Sequence, residues 1–292
     1  MSISRRLKVR SYWGDVWRRF RKSRLAILGA LLITAVLIAA VVGPLLVRAD
    51  PYDVNIKDRL LGPSPKHLMG TDEMGRDVLV RALLGARVSF GVSFASVVFS
   101  LALGTFLGLL AGFYGRFVDE LIMRLMDVLF AFPAVLLAIG IIAILTPGSQ
   151  NTILAIGIVY TPIFARIARG SVIQVRGLDY VMAARAVGSP SGRIMLRHIL
   201  PNALAPIIVE TSLSLGFAIL TEASLSFLGL GTQPPMPSLG RMLSEGRMFI
   251  QQAPWTAVFP GLLIMVAVLG FNLVGDGIRD ALDPRLRNRA GV

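Results

Sequence analysis

Cysteine is absent from the 292-residue chain, and charged residues make up only 16% of it. The absence of cysteine excludes disulfide bonds, thiol catalysis and cysteine-based metal sites. The shortage of charge excludes an ordinary globular domain, in which about 25% of residues are charged. Hydrophobic residues make up 54% of the sequence, and its mean hydropathy is +0.70. The composition therefore indicates a membrane protein.

The sequence also lacks the motifs that most often carry catalysis. It contains no glycine-rich loop ending in Gly-Lys-Ser/Thr, which nucleotide-hydrolysing proteins use to hold phosphates. No paired carboxylates and no Ser/His/Asp arrangement are spaced for an active site. Both histidines, His67 and His198, lie outside the apolar runs, and Asp72 and Glu73 stand at no metal-binding spacing from His67. We therefore expect that the chain is not an enzyme and that it binds no metal or cofactor itself.

Long apolar runs predict an all-α fold with six membrane-spanning helices. The first run, Leu25–Val47, holds no charge, and at about 1.5 Å per residue it can cross a hydrocarbon core of roughly 30 Å. It is longer than the apolar region of a cleaved signal peptide, about 7–15 residues, so we interpret it as a retained helix. The other runs are Val88–Gly112, Val128–Leu145, Thr152–Ala165, Leu204–Thr221 and Thr256–Gly275.

The distribution of basic residues predicts the orientation. A net charge of +13 could suggest a nucleic-acid-binding protein, but the charges lie at the ends of apolar runs and form no soluble basic face. With both termini cytoplasmic, the inner segments hold 21 Lys and Arg and the outer segments nine, which fits the positive-inside rule. The predicted divisions are a basic tail (1–24), the first helix (25–47), an outer loop (48–87), a five-helix core (88–275) and a C-terminal tail (276–292). Within the core, 166–203 is predicted to be cytoplasmic and 222–255 to lie outside.

A polar and basic island of 23 residues interrupts the apolar runs; it begins at Asp179 and ends at Pro201. Asp179 is predicted to cap a short helix, Tyr180–Val187, because its carboxylate can accept from the N–H groups of the first turn. Gly188 supplies the left-handed residue that ends such a helix. A second helical segment, Arg193–Leu200, is expected to end at the proline. A helix of two turns is marginal alone in water, so the first must dock on its own chain or on a partner.

The island resembles the EAA loop of the permease subunits of ABC transporters, because Ala183-Ala184, Gly188 and Leu200-Pro201 follow its pattern. The chain departs from the pattern at Met182, where the family usually has Glu, and at His198, which the peptide-transporter branch often shares. In that family the loop forms a coupling helix seated in a cleft of the ATPase subunit. The resemblance therefore implies that the following residues contact an ATPase: Asp179, Tyr180, Met182, Ala183, Ala184, Arg185, Gly188 and Pro201.

A second resemblance comes from the run His67–Val78, which is predicted to form a turn and then a helix capped by Thr71 or Asp72. With three further stretches it is similar to the second permease subunit of dipeptide, oligopeptide and nickel importers. Those stretches are Leu84–Ser89, Glu222–Pro235 and Phe271–Arg285.

This resemblance implies the permease fold of a type I ABC importer in a bacterial inner membrane. The chain would form the translocation path with a homologous second permease, two cytoplasmic ATPase subunits that bind ATP and Mg²⁺, and an extracytoplasmic substrate-binding protein. Its cargo would be di- or oligopeptides, with nickel, glutathione or another small peptide-like solute as alternatives. A secondary transporter or a channel is the alternative of another class, although such proteins usually show several intramembrane ionisable residues or inverted repeats.

Within the apolar runs, Glu210 is the one clear acid, and it is predicted, with Thr161, to line the substrate path. The alternatives for Glu210 are a hydrogen bond to the partner subunit and a wet position near the interface.

Several local contacts are also predicted. Arg124 is expected to pair with Asp127, and Pro133 and Pro162 are expected to kink their helices. The small residues Gly104, Gly108 and Gly112 favour close helix contact. A solvated, internally paired face is predicted for Asp276, Arg279, Asp280 and Asp283.

Overall fold

The computed structural model describes residues 12–46 and 50–282, and these residues form helices and no β-strand. The helices are α1 (Tyr12–Phe20), α2 (Arg24–Leu46), α3 (Val78–Tyr114), α4 (Arg116–Phe130), α5 (Ala134–Leu145), α6 (Ser149–Arg176), α7 (Asp179–Ala186), α8 (Ser191–Arg193), α9 (Leu200–Phe227), α10 (Leu239–Gly246) and α11 (Trp255–Leu282). A π-helical turn, Ile194–Ile199, joins α8 to α9. The prediction of an all-α fold is therefore confirmed.

Five helical stretches are long and apolar enough to cross a membrane. Four of them are α2, α3, α6 and α11, and the fifth is the 37-residue stretch Ser191–Phe227, in which α8, the π turn and α9 follow one another. Helices α4 and α5 form a pair bent by 93°, so the number of crossings is six when this pair counts as one.

Helices α3 and α6 pack in parallel along the predicted glycine stripe. A Cβ atom at Gly104 would lie 2.5 Å from the Thr161 carbonyl oxygen, and one at Gly112 would lie 2.8 Å from the Val172 Cβ atom. At Gly108 the same addition would overlap the Ala165 carbonyl oxygen. The prediction of close contact is therefore confirmed, since only glycine lets these two backbones approach so closely.

The parallel packing of α3 and α6 requires the chain to return through the bundle between them, and α4 with α5 forms this return. The predicted run Val128–Leu145 is thus not a straight helix: it begins in the last turn of α4, breaks next to Pro133 and continues as α5. Helix α5 has only 12 residues, too few to cross alone, but Ala138 and Ile142 are fully buried in the core. Helix α6 continues beyond the predicted run, through Pro162 to Arg176.

The remaining helices complete the bundle around α11. Helix α2 crosses α11 where Gly29 approaches Leu273, so the first apolar run is an integral part of the bundle. Helix α11 is antiparallel to α9, with Gly275 against Ser212. Helix α1 packs beside the C-terminal part of α11, where a Cβ atom at Gly277 would lie 3.3 Å from the Phe20 ring.

The bundle has two ends with different contents. The α7 end, as we call it, contains α7, the π turn, the C-terminal ends of α3, α6 and α11, and the N-terminal ends of α2 and α9. The α10 end lies opposite and contains α10 with the segments 50–77 and 228–254.

Two predicted boundaries are wrong because charged residues are buried inside the helices, Arg81 in α3 and Glu222 in α9. Helix α3 begins at Val78, ten residues before the apolar run at Val88, and its N-cap is Asp77, whose carboxylate accepts from the Val80 N–H at 3.2 Å. Neither Thr71 nor Asp72 caps it. Helix α9 continues past the end of the fifth run to Phe227.

Two predictions about surface ion pairs are also corrected. Asp127 pairs with Arg166 of α6 at 2.7 Å and not with Arg124, because α4 lies against α6. Asp276, Arg279 and Asp280 are exposed as predicted, but within the described part of the chain no ion pair joins them. Asp283 lies outside the described residues.

Candidate functional site

Helix α7 is attached to the bundle through one deeply buried side chain. Val181 is 1% exposed, and it packs in an apolar cluster formed by Leu109, Phe113, Val172, Val175, Ile194 and Ile199 of α3, α6 and the π turn. The Tyr180 hydroxyl donates to the His198 carbonyl oxygen at 3.2 Å, and the Arg185 guanidinium lies 5.5 Å from the centre of the Phe113 ring. These contacts tie α7 to the π turn that leads into α9.

The two ends of α7 differ from each other. The predicted N-cap at Asp179 is wrong, because Leu178 occupies the cap position in an extended conformation and no side chain caps the helix. At the other end Gly188 has the left-handed φ of +78° that the sequence predicts. The Gly188 and Ser189 N–H groups donate to the Arg185 and Ala184 carbonyl oxygens at 3.0 and 3.1 Å, which is the Schellman arrangement.

Most of the predicted coupling residues are exposed. Met182 is 54% exposed and Val187 is 81% exposed, and together with Tyr180 and Leu178 they leave an apolar patch on α7 open. Asp179, Ala183, Arg185 and Gly188 are also exposed, whereas Ala184 is half-buried against the anchoring cluster. Exposed apolar patches of this kind mark interaction surfaces. Sequence reasoning missed the difference between the buried Val181 and the exposed Val187. Their spacing gave no signal for it, because residues three positions from Ala184 are expected on one helix face.

Pro201 does not end a helix, which corrects the prediction made from the sequence. It lies in the first turn of α9, directly after the π turn. The Leu200 N–H donates five residues back, to the Met195 carbonyl oxygen, as in a π helix, and the Asn202 side chain donates to the His198 carbonyl oxygen at 2.8 Å. The helical path from Ser191 to Phe227 is therefore continuous.

The two predicted path residues have different surroundings. Glu210 is partly exposed, and its carboxylate accepts from the Ser214 hydroxyl at 3.0 Å. It lies on the open stripe of α9 that also carries Phe217 and Leu220. Thr161 is 2% exposed between α3 and α6, and its hydroxyl donates to the Gly157 carbonyl oxygen at 2.8 Å.

The α10 end is organised by Asp72. Its Oδ1 accepts from the Met74 and Arg76 N–H groups at 2.9 and 3.0 Å, and its Oδ2 accepts from the Arg76 side chain at 2.7 Å. The buried Arg81 of α3 lies between Asp72 and Glu245 of α10, at 3.3 and 3.5 Å. Asp72 and Arg81 therefore link the first loop, α3 and α10 in one ion-pair network.

Two more carboxylates in this loop have shifted pKa values. Burial raises the pKa of Glu73 above its ordinary value, and the adjacent charge of Asp72 raises it further. The hydrogen bond from Lys66 lowers the pKa of Asp58 below its ordinary value of 3.8. His67 is bonded to Asp77 through Nδ1 at 2.9 Å, so this histidine helps to hold the loop against the start of α3.

Sequence analysis missed a second acid inside the bundle. Glu222 was assigned to an outer loop, but it lies in α9 and is 0% exposed. The signal was its spacing, four residues after Ala218 and three before Leu225, which places it on the buried face of a helix.

Comparisons with known proteins agree with this architecture. Residues 104–288 match the family model for the binding-protein-dependent transport system inner membrane component, and residues 11–63 match the model for the N-terminal TM domain of oligopeptide transport permease C. The chain is 51% identical to a dipeptide transport system permease protein of Alkalihalophilus pseudofirmus, over 95% of this chain and 91% of the relative. It is 44% identical to a glutathione transport system permease protein of Pectobacterium atrosepticum, over 99% of this chain and 96% of the relative.

Among solved structures, an inward-facing form of the MetNI methionine ABC transporter has a similar fold. A chain of it superposes with a TM-score of 0.56 at 18% identity, over 70% of this chain and 97% of that one. The family match covers more than half of the sequence, and the relatives align along nearly its whole length. The chain is therefore a multi-pass inner-membrane protein that belongs to the family of inner membrane components of binding-protein-dependent transport systems.

Proposed function

We propose that this chain is a permease subunit of an ATP-driven importer of di- or oligopeptides, and that α7 receives the mechanical input from an ATPase subunit. The observation that carries the proposal is the exposed apolar patch on α7, whose helix is held to its own chain mainly by Val181. The cargo class follows from the relative named for dipeptide transport. The relative named for glutathione transport supports a second candidate, because glutathione is itself a small peptide.

In this proposal the α7 end faces the cytoplasm, in agreement with the basic residues counted on that side. Two ATPase subunits bind ATP and Mg²⁺, a homologous permease covers the open stripe of α9, and a substrate-binding protein delivers cargo to the α10 end. Glu210 lines the path between the two permeases, since it lies on that stripe. The same role for Thr161 stays a prediction; its side chain is 2% exposed in this structure.

Motion passes from α7 into α9 through two contacts. The first is the packing of Val181 on Ile199, and the second is the Tyr180 hydrogen bond to His198. Because the helical stretch from Ser191 to Phe227 is continuous, displacement of its cytoplasmic end moves its outer end as well.

The coupling role can be tested with A183E, which adds a charge to the exposed face of α7. Q174E is the matched control, because Gln174 is exposed at the same end of the bundle but lies on α6. We expect A183E to insert normally, to lose co-purification of the ATPase subunits and to abolish peptide uptake, while Q174E behaves as the wild type. Normal uptake by A183E would refute the docking of α7. A184E is less informative, because Ala184 also packs on its own chain.

The path role of Glu210 is tested by E210Q, with uptake of one neutral and one cationic dipeptide measured in parallel. We expect a larger loss for the cationic peptide, because the carboxylate can attract its charge. Equal uptake of both peptides at the wild-type rate would remove Glu210 from the path. Collapse of the proton gradient with ATP retained separates this transporter from a proton-coupled carrier, since only the carrier would stop.

A further inference from the structure

The first turn of α10 is wedged between α3 and α9 with no room for side chains at the contacts. A Cβ atom at Gly85 of α3 would lie 3.2 Å from the backbone of Ser238, and one at Gly240 would overlap the Ala223 carbonyl oxygen of α9. Glycine at these positions brings the three backbones together, as in close helix pairs within membranes.

Glu222 lies at this junction. Its Oε1 accepts from the Ser226 hydroxyl at 2.6 Å, and the Ser89 hydroxyl of α3 faces the same carboxyl group. Ser89 also accepts from the backbone N–H of Leu239, the first residue of α10, at 3.2 Å. Side chains from α9 and α3 thus form a chain of polar contacts that ends on the backbone of α10.

Burial of Glu222 at this junction lowers the stability of the fold, which argues that the residue has a role. Glu222 is 0% exposed, and its Oε2 has no hydrogen-bond partner among the described residues. A buried carboxyl group with an unsatisfied oxygen destabilises a fold, and an apolar side chain of similar size would avoid this cost. The ion-pair network of Asp72, Arg81 and Glu245 does not include Glu222, so that network does not explain it.

We propose that Glu222 is a positioning residue that clamps α10 to α9 and α3, so that α10 moves with the outer end of α9. Through the clamp, a movement of α7 would also move α10 at the opposite end of the bundle. Only this link to α7 rests on the proposed function. The polar contacts of Glu222, Ser226 and Ser89 give the attachment of α10 a defined geometry that apolar packing alone would not specify.

The absence of cysteine permits a direct test of the clamp. M242C is the reporter, because Met242 of α10 is 5% exposed and packs on Val78 and Ala82, and M248C is the control at 75% exposure. Each reporter is combined with E222A, E222Q or S89A, and the labelling rate by a membrane-impermeant maleimide is measured on the intact complex. We expect E222A to raise labelling of the M242C thiol by roughly tenfold, since opening of α10 becomes easier, and S89A to raise it by a few-fold.

E222Q keeps an acceptor for Ser226, so its labelling rate should lie between those of the wild type and E222A. The M248C thiol should be labelled equally in all backgrounds. Unchanged M242C labelling in inserted E222Q and S89A proteins would overturn the clamp, even if E222A failed to fold. Unchanged labelling in inserted E222A would do the same.

The transport consequence is measured separately. E222Q and S89A should keep their ATPase subunits and basal ATP hydrolysis, but lose most of the stimulation by the substrate-binding protein. A purely structural role would lower both activities together, and that result would overturn the positioning role. Failure of the proposed function would give a different result. In that case A183E would retain its ATPase subunits, whatever the Glu222 and Ser89 variants showed.

Discussion

The α7 end and the α10 end of the bundle are built differently. At the α10 end, Asp72 binds two N–H groups and two arginines, and a cap, a His–Asp pair and buried glycines hold the loops in place. At the α7 end, one buried valine and one tyrosine hydrogen bond hold a helix that has no side-chain cap at its N-terminus and whose other apolar residues are largely exposed. The α10 end is thus held by contacts within its own chain, whereas the α7 end leaves apolar side chains exposed, as the proposed docking of an ATPase subunit would require.

The largest expected effect on stability comes from disrupting the ion-pair network at the α10 end. D72A removes one of the carboxylates on which the two arginines are paired, while Glu73 still faces Arg76 and Glu245 still faces Arg81. We therefore expect a loss of about 3 kcal/mol in the free energy of unfolding, the lower end of the range for breaking a buried ion pair. Thermal denaturation in detergent measures it, and D53A, at an exposed aspartate of the same loop, is the control. A melting temperature for D72A equal to that of D53A would show that the network is not stabilising.

A smaller effect on stability should distinguish the buried face of α7 from its exposed face. V181A removes two buried methyl groups and should release the helix at a cost of about 2 kcal/mol, whereas V187A removes the same atoms from an 81% exposed position. Limited proteolysis should detect faster cleavage in V181A only, while both variants should bind ATPase subunits more weakly. Equal protease sensitivity of the two variants would contradict the assignment of inner and outer faces.

A third variant tests the C-terminal end of α7. G188A places a side chain at a φ of +78°, which costs roughly 1 kcal/mol, and should fray the last turn of the helix. G192A is the control, because Gly192 has no neighbour within 4 Å of an added Cβ and a negative φ. Hydrogen exchange of the Gly188 and Ser189 amides is the measurement, with G192A expected to match the wild type.

The smallest effect should come from pH at the α10 end. Because the pKa of Asp58 is lowered in the folded state, its contribution to stability is complete above the ordinary value of 3.8 and is lost as pH falls through the lowered pKa. Acidification through that range should therefore lower the melting temperature of the wild type more steeply than that of D58N. Parallel curves for the two proteins would show that Lys66 does not stabilise the charged form.

Hydropathy predicted where the helices lie, because apolar runs, helix-breaking residues and small-residue stripes act locally. Hydropathy made the predicted α3 and α9 too short. It assigned Arg81 and Glu222 to loops because they are charged, whereas other parts of the chain bury them inside the helices. The same limit applies at Asp127, whose partner is 39 residues away. The caps at Leu178 and Asp77 likewise depend on how the preceding segment enters each helix.

The helix that carries the candidate site was predictable from the sequence, but its orientation on the bundle was not. The alanine and glycine pattern marked α7, and Gly188 has the predicted backbone conformation. Which alanine faces outwards could not be predicted, because the direction in which α7 lies on α3 and α6 decides it. Glu222 was missed for a related reason, since its burial depends on α10, a helix that begins 17 residues later.

The π turn at Ile194–Ile199 lies between α7 and α9, so a change in its helical geometry would rotate one helix relative to the other. A π helix has more residues per turn than an α helix, so conversion of these six residues to α geometry would rotate α7 about the α9 axis by roughly 100°. No residue would need to be inserted or removed for this rotation. If α7 is pushed by an ATPase as proposed, this conversion would turn the push into a rotation between α7 and the membrane helix.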